Sequence, residues 1–225
     1  MVKQIEAGGL KCDCVSYPDI GKVTYTIYPD ILPLANDWLC EMSSRYQTPL
    51  VVIYIPRDNW NDMLTPWPET GETPDSPPFA GNAAATLSLI REKVIPAAEQ
   101  ALGIPNGADR NLIGVSLSGL FALWQWLECD TFKSIASLSG SFWYNGFIEW
   151  FGKQPIPPKT GKAYFLLGEK EPYAWIKAYR SVGINTETIV ERLKKSDIRT
   201  IFQWVSGNHF SDPLGRMEDA LKSIC

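Results

Sequence analysis

Apolar and polar positions along this chain follow two alternating rhythms. Short runs rich in β-branched and aromatic residues, bounded by proline, glycine or polar residues, predict strands: LKCDCVSYP, KVTYTIYPD, LVVIYIP, NLIGVS, FKSIASLSG, KAYFLLG and RTIFQWVSG. LVVIYIP stays apolar until Pro56, the pattern of a strand covered on both faces. Between these runs the spacing turns helical. LANDWLCEMSSRY places Leu34, Trp38, Leu39 and Met42 on one stripe. NAAATLSLIREKVIPAAEQALG predicts a long helix, disturbed near Pro96 and closed by Gly103. LSGLFALWQWLEC predicts a further helix, and NTETIVERLKKS an amphipathic one capped by Asn185 or Thr186. DPLGRMEDALKSI predicts a terminal helix opened by Asp212 and Pro213. Strands alternating with helices imply an α/β fold, a doubly wound, mostly parallel sheet flanked by helices, in a single domain over residues 1–225. In such sheets reactive groups gather beyond the carboxyl ends of the strands.

One stretch follows neither rhythm. Arg57 to Gly81, RDNWNDMLTPWPETGETPDSPPFAG, mixes Pro, Asp and Asn with Trp60, Trp67 and Phe79. Large apolar groups are out of place in a plain linker, so an ordered loop draped over the domain is expected, and loops of this length tend to be functional.

Composition narrows the partners. With 21 Lys and Arg against 25 Asp and Glu, the formal charge is −4, and no basic run appears. Nucleic acid is therefore not an expected partner. The amino terminus lacks an apolar leader and no segment is long enough to cross a bilayer, so a cytoplasmic protein without membrane contact is expected. The five cysteines have no framework spacing and read as reduced thiols. With one histidine and no Cys-x-x-Cys, no zinc-ligand spacing exists, and neither metal nor cofactor is called for. The sequence leaves homo-oligomerisation open.

The strongest chemical signal is Gly114-Val115-Ser116-Leu117-Ser118-Gly119. A strand entering a helix with almost no loop forces a strained turn, and small residues must flank it. That turn presents the Ser116 hydroxyl at the start of a helix, where the backbone N–H of Leu117 can face a developing oxyanion. A serine needs a base, and the sole histidine, His209, lies in the loop after the last predicted strand. An imidazole base needs an acid partner. Glu169 and Glu171 follow the preceding strand; Glu171, further into the loop, has the better reach, and Asp212 is a third candidate. The order Ser116, Glu171, His209 is the serine–acid–histidine order of this architecture.

On these residues the chain resembles the α/β-hydrolase superfamily, and within it the esterase D-like group, which includes siderophore esterases, feruloyl esterases and some acyltransferases. The resemblance runs from about Val23 to the terminal helix. It is carried by GVSLSGLFALW, SLSGSFWYNG, LLGEKEP and SGNHF. It implies an α/β-hydrolase fold, and because the interval between Ser116 and Glu171 is used up by core elements, no separate cap domain is expected. It also implies Ser116 as nucleophile, Trp143 on the pocket side, Glu171 as acid and His209 as base. PRDNWNDMLTPWPE resembles a subgroup whose aromatic loop lies near the site. Two positions depart from the pattern. Ser118 stands where similar proteins carry glycine, and Tyr28-Pro29-Asp30 replaces the His-Gly that leads to the second oxyanion donor, leaving the backbone of Asp30 or Ile31 for that role. Some relatives work with a Ser–His dyad, so the acid stays open between Glu171, Glu169 and none.

The implied function is hydrolysis of a small-molecule carboxylic ester through an acyl-enzyme. The expected cleft is open, walled by the 57–81 loop and the FWYNG segment. Trp60, Trp67, Trp143 and Tyr144 are the candidate substrate contacts, and such walls suit aryl or sugar esters. Trp38, Trp124 and Trp126 read as packing residues. An acyltransferase would use the same three groups. A non-catalytic binding protein on the same scaffold is the competing class.

Overall fold

The computed structural model describes residues 1–18, 21–31 and 33–225. In chain order the strands are β1 (Val2–Ala7), β2 (Leu10–Val15), β3 (Lys22–Pro29), β4 (Leu50–Ile55), β5 (Asp109–Val115), β6 (Ser134–Leu138), β7 (Lys162–Gly168) and β8 (Arg199–Val205). They form one sheet in the order β1-β2-β4-β3-β5-β6-β7-β8. The two pairings made by β2 are antiparallel and all the others parallel. The doubly wound, mostly parallel sheet expected from the sequence is therefore present. β1 was not expected. Only Ala7 of it is buried, so no apolar rhythm announces it, and it is held by pairing with β2 across the turn at Gly8-Gly9.

Alternation along each strand feeds two cores. In β4, Val51, Ile53 and Ile55 point to one face while Leu50, Val52 and Tyr54 point to the other, which is why LVVIYIP is apolar throughout. The first face is covered by α3 (Ala83–Leu89), α4 (Ile95–Leu102), α5 (Leu117–Glu128) and α7 (Val182–Lys195). The second is covered by α1 (Asn36–Arg45) and α8 (Pro213–Ile224). Between β4 and α3 runs the short α2 (Trp60–Leu64), and α6 (Phe147–Lys153) lies between β6 and β7. α5 is apolar nearly all round because it sits centrally, with Leu120, Phe121 and Trp126 fully enclosed.

Three local expectations change. The long helix around Pro96 is split into α3 and α4 by a wide π turn over Ile90–Val94; proline has no N–H for the carbonyl four residues back, and the ladder widens there. Neither Asn185 nor Thr186 caps α7, which begins at Val182. The Asn185 amide donates instead to the Phe142 carbonyl (2.8 Å), and the Thr186 hydroxyl to the Val182 carbonyl (2.7 Å). The 57–81 segment is ordered, as expected, but carries α2 and a two-way backbone bridge between Glu69 and Phe79 (3.1 and 2.9 Å).

Candidate active site

Ser116 occupies the junction of β5 and α5 with φ 59° and ψ −121°, a conformation that costs a non-glycine residue of order 1–3 kcal/mol. The turn closes because its neighbours are small. A Cβ on Gly114 would lie 2.0 Å from the Ser118 carbonyl oxygen, and one on Gly119 would meet Ser137 Oγ at 2.8 Å and Gly140 Cα at 2.9 Å. Ser118, the departure from glycine, ties the turn together. Its buried hydroxyl accepts from the Val115 N–H (2.6 Å), and its one proton goes to the carbonyl of Val115 (2.8 Å) or Ile27 (3.1 Å). Leu117 is the first residue of α5, where a backbone N–H has no partner within the helix.

The loops after β6, β7 and β8 bring three further groups to the same end of the sheet. Glu171 is buried and uses both oxygens. Oε2 lies 2.9 Å from His209 Nδ1, while Oε1 accepts from Ser139 Oγ (2.7 Å), the Gly168 N–H (2.7 Å) and Arg216 Nη1 (3.3 Å). Burial pushes its carboxyl pKa up, but the hydrogen bonds from His209, Ser139 and Gly168 outweigh that, and the group ends below the usual glutamate range. An ionised carboxylate only accepts, so Nδ1 of the neutral imidazole carries the proton and Nε2 is left with its lone pair.

Ser116, Leu117, Ser139, Glu171 and His209 all line one cavity of about 490 Å³. Ser141 presents a second hydroxyl 3.4 Å from that of Ser116. The walls are mostly aromatic and aliphatic, formed by Trp60, Trp143, Trp175, Ile176, Tyr179 and Phe210, with Glu72 and Lys170 as charged groups among them.

The remaining sequence candidates separate. Glu169 is exposed and lines a different depression, with its N–H bonded to the Val205 carbonyl (2.9 Å). Asp212 caps α8 by accepting from the Gly215 N–H (3.1 Å). Asp30 does not offer the second oxyanion donor, because its N–H is spent on the Ile55 carbonyl at 3.1 Å as the β3–β4 pairing runs on. Ile31 is 52% exposed and outside the cavity lining. Trp60 and Trp143 do line the cavity, but Trp67 and Tyr144 do not. Trp67 Nε1 donates to the Asn145 carbonyl (3.1 Å), and the Tyr144 hydroxyl donates to the Trp67 carbonyl (2.6 Å). These two residues fasten the 57–81 segment to the chain after β6.

Sequence reasoning missed the exposed rim residues Trp175 and Phe210, and it missed Ser139 and Arg216. Arg216 had a signal: it shares a face of α8 with Met217, Ala220 and Ile224, all buried. Its guanidinium joins three loops, donating from Nη1 to Ser139 Oγ (2.8 Å) and Glu171, and from Nη2 to the Asn208 carbonyl (2.7 Å). Removing one member of a buried ion pair strands the other. Arg216→Met is therefore expected to lower unfolding stability by about 3–5 kcal/mol in urea titrations, with Arg216→Lys recovering part of it. A loss under about 0.5 kcal/mol would mean that the guanidinium carries none of this load.

Comparison with known proteins places the chain among others. A family model described as putative esterase matches residues 33–185. A curated relative, the uncharacterized protein YbbA of Bacillus subtilis (strain 168), is 29% identical over 148 residues, which is 65% of this chain and 59% of YbbA's own length. An IroE-like serine hydrolase from Shewanella oneidensis has a TM-score of 0.77 at 14% identity, covering 99% of this chain and 79% of that one. The siderophore hydrolase EstB from Aspergillus nidulans has a TM-score of 0.73 at 19% identity, covering 99% and 94%. At such identities the likeness speaks for the shared fold.

Proposed function

The chain belongs to the putative esterase family, and from that premise we propose that it is a serine esterase of the α/β-hydrolase kind in which Ser116 attacks, His209 is the base and Glu171 is its acid partner. The observation that carries this reading is the 2.9 Å contact between His209 Nδ1 and Glu171 Oε2, in the same cavity as a serine held on a strained elbow.

In this mechanism His209 Nε2 takes the proton of Ser116 as the hydroxyl oxygen adds to the ester carbonyl. Glu171 stabilises the imidazolium that forms. The negative oxygen of the tetrahedral intermediate is held by the Leu117 N–H, a contribution worth roughly 3–4 kcal/mol per donor at comparable sites. Collapse breaks the bond to the alcohol, which leaves with the proton from His209. Water then adds to the acyl-enzyme with His209 again as base, and Ser116 recovers its proton as the acid departs. Apolar, aromatic walls favour an ester with an aryl group or a sugar ring that can lie against them.

A fluorophosphonate probe tests the nucleophile directly. The parent protein should be labelled at one serine and the Ser116→Ala variant not at all. Equal labelling of the two would remove Ser116 from the mechanism.

A further inference from the structure

Arg216 and Glu171 carry opposite charges and are both buried, at 6% exposure each, yet they do not make the pair that their chemistry favours. A guanidinium beside a carboxylate in a dry site tends to lay two parallel N–H groups on the two oxygens. Here one nitrogen, Nη1, reaches Glu171, at 3.3 Å and on Oε1 alone. The shorter bonds of the guanidinium go elsewhere, from Nη1 to Ser139 Oγ (2.8 Å) and from Nη2 to the Asn208 carbonyl (2.7 Å). Its Nε is buried and has no hydrogen-bond partner among the described residues. A buried donor in that state is destabilising, so its persistence calls for a reason.

Ser139 supplies one. Its hydroxyl donates to Glu171 Oε1 (2.7 Å) and accepts from Arg216 Nη1 (2.8 Å), so a single oxygen stands between the two charges. Only a group that both donates and accepts can do this. The backbone holds it there under strain. Ser139 has φ 50°, a left-handed conformation that favours glycine, and its N–H is tied to the Leu166 carbonyl (2.8 Å). With the Gly168 N–H also on Oε1 (2.7 Å), that oxygen takes three donors, while Oε2 faces His209 Nδ1 at 2.9 Å.

Two unfavourable features, an orphaned Nε and a strained serine, therefore meet at one point. Both have the same consequence. A full fork from Arg216 would occupy both carboxylate oxygens and take Oε2 away from the imidazole. On the esterase reading above, we infer that Ser139 is a positioning residue that keeps Arg216 from capturing Glu171, so that the second oxygen of the acid serves His209. Arg216 still offsets the buried negative charge, but largely through the serine hydroxyl.

The test is a cycle with Arg216→Lys, because an ammonium is a point charge without a fork. In the parent, Ser139→Ala should lower kcat for ester hydrolysis about 10²-fold, the order expected when a reacting group is misplaced by about 1 Å. KM should stay within about threefold, since no substrate contact is removed. In the Arg216→Lys protein the same substitution should cost less than about fivefold, because nothing there can lay a fork on both oxygens. The acid limb of kcat/KM should also move to lower pH in Ser139→Ala, as an imidazolium that has lost its carboxylate releases its proton more readily. The other charged groups of the cavity, Glu72 and Lys170, are the same in every variant. A mere loss of folded protein scales the pH profile without moving it. Should the alanine variant not fold, Ser139→Gly, which suits a positive φ, carries the same test. An equal loss in both backgrounds, a loss under about twofold in the parent, or an unmoved acid limb overturns the inference. These outcomes leave the esterase reading standing; hydrolysis that survives Ser116→Ala would defeat that reading, and this inference with it.

Discussion

Ester hydrolysis by the Ser116→Ala protein is expected to fall by about 10⁵–10⁶-fold in kcat while KM changes by less than about threefold. The alanine keeps the elbow, since its methyl group replaces the hydroxymethyl without entering the space that Gly114 and Gly119 leave free. On the proposed mechanism, what is lost is the nucleophile that forms the acyl-enzyme. The remaining rate comes from binding and from the backbone donor at Leu117, which still favours a tetrahedral intermediate formed by water. His209→Ala should cost nearly as much, because an alcohol without a base is a weak nucleophile. The double variant should be no slower than either single one, since the two side chains act as one unit. Matched kcat values from saturation curves decide the matter. A Ser116→Ala enzyme that keeps more than about a hundredth of the parent kcat would place the nucleophile elsewhere.

How much of this was legible beforehand depended on whether a feature is local. β4 announced itself because burial on both faces makes it continuously apolar, and the half-exposed edge strand β8 was legible from its β-branched and aromatic residues alone. The elbow was legible because a strand can turn into a helix at one residue only with small neighbours, and Gly114 and Gly119 are local facts. β1 was silent because an edge strand with one buried residue has no rhythm. Three-dimensional bookkeeping was silent too. Nothing in the sequence says that the Asp30 N–H is already used by Ile55, or that the Tyr144 hydroxyl donates to the Trp67 carbonyl. Trp67 and Trp143 both read as loop tryptophans near strand ends, yet one is an anchor and the other a cavity wall. Arg216 lay between these extremes: its place on a buried helix face was visible, but its three partners come from three different loops.

The choice of acid leads to the second large effect. Glu171→Gln should lower kcat by about 10³–10⁴-fold, because an amide can donate as well as accept and no longer obliges Nδ1 to carry the proton. With the proton on Nε2, the imidazole cannot act as base toward Ser116. Glu169→Gln, which alters an exposed side chain outside the cavity, should stay within about twofold of the parent. The same pair of variants separates in stability against pH. The Glu171 pKa is depressed in the folded protein, so the folded state binds its proton less readily than the unfolded chain does. Its stabilising contribution is then complete above the unfolded glutamate value of about 4.3 and is lost as pH falls through the lower folded value. Urea unfolding of the parent should therefore weaken across that acid window, and Glu171→Gln, already uncharged, should lack this component. Its stability should also be lower at neutral pH, where Arg216 is left buried without its counter-charge. The opposite ordering, with Glu169→Gln inactive and Glu171→Gln close to the parent in both rate and acid sensitivity, would move the acid to the other glutamate. It would also require a loop after β7 folded differently from the one that now turns Oε2 toward His209.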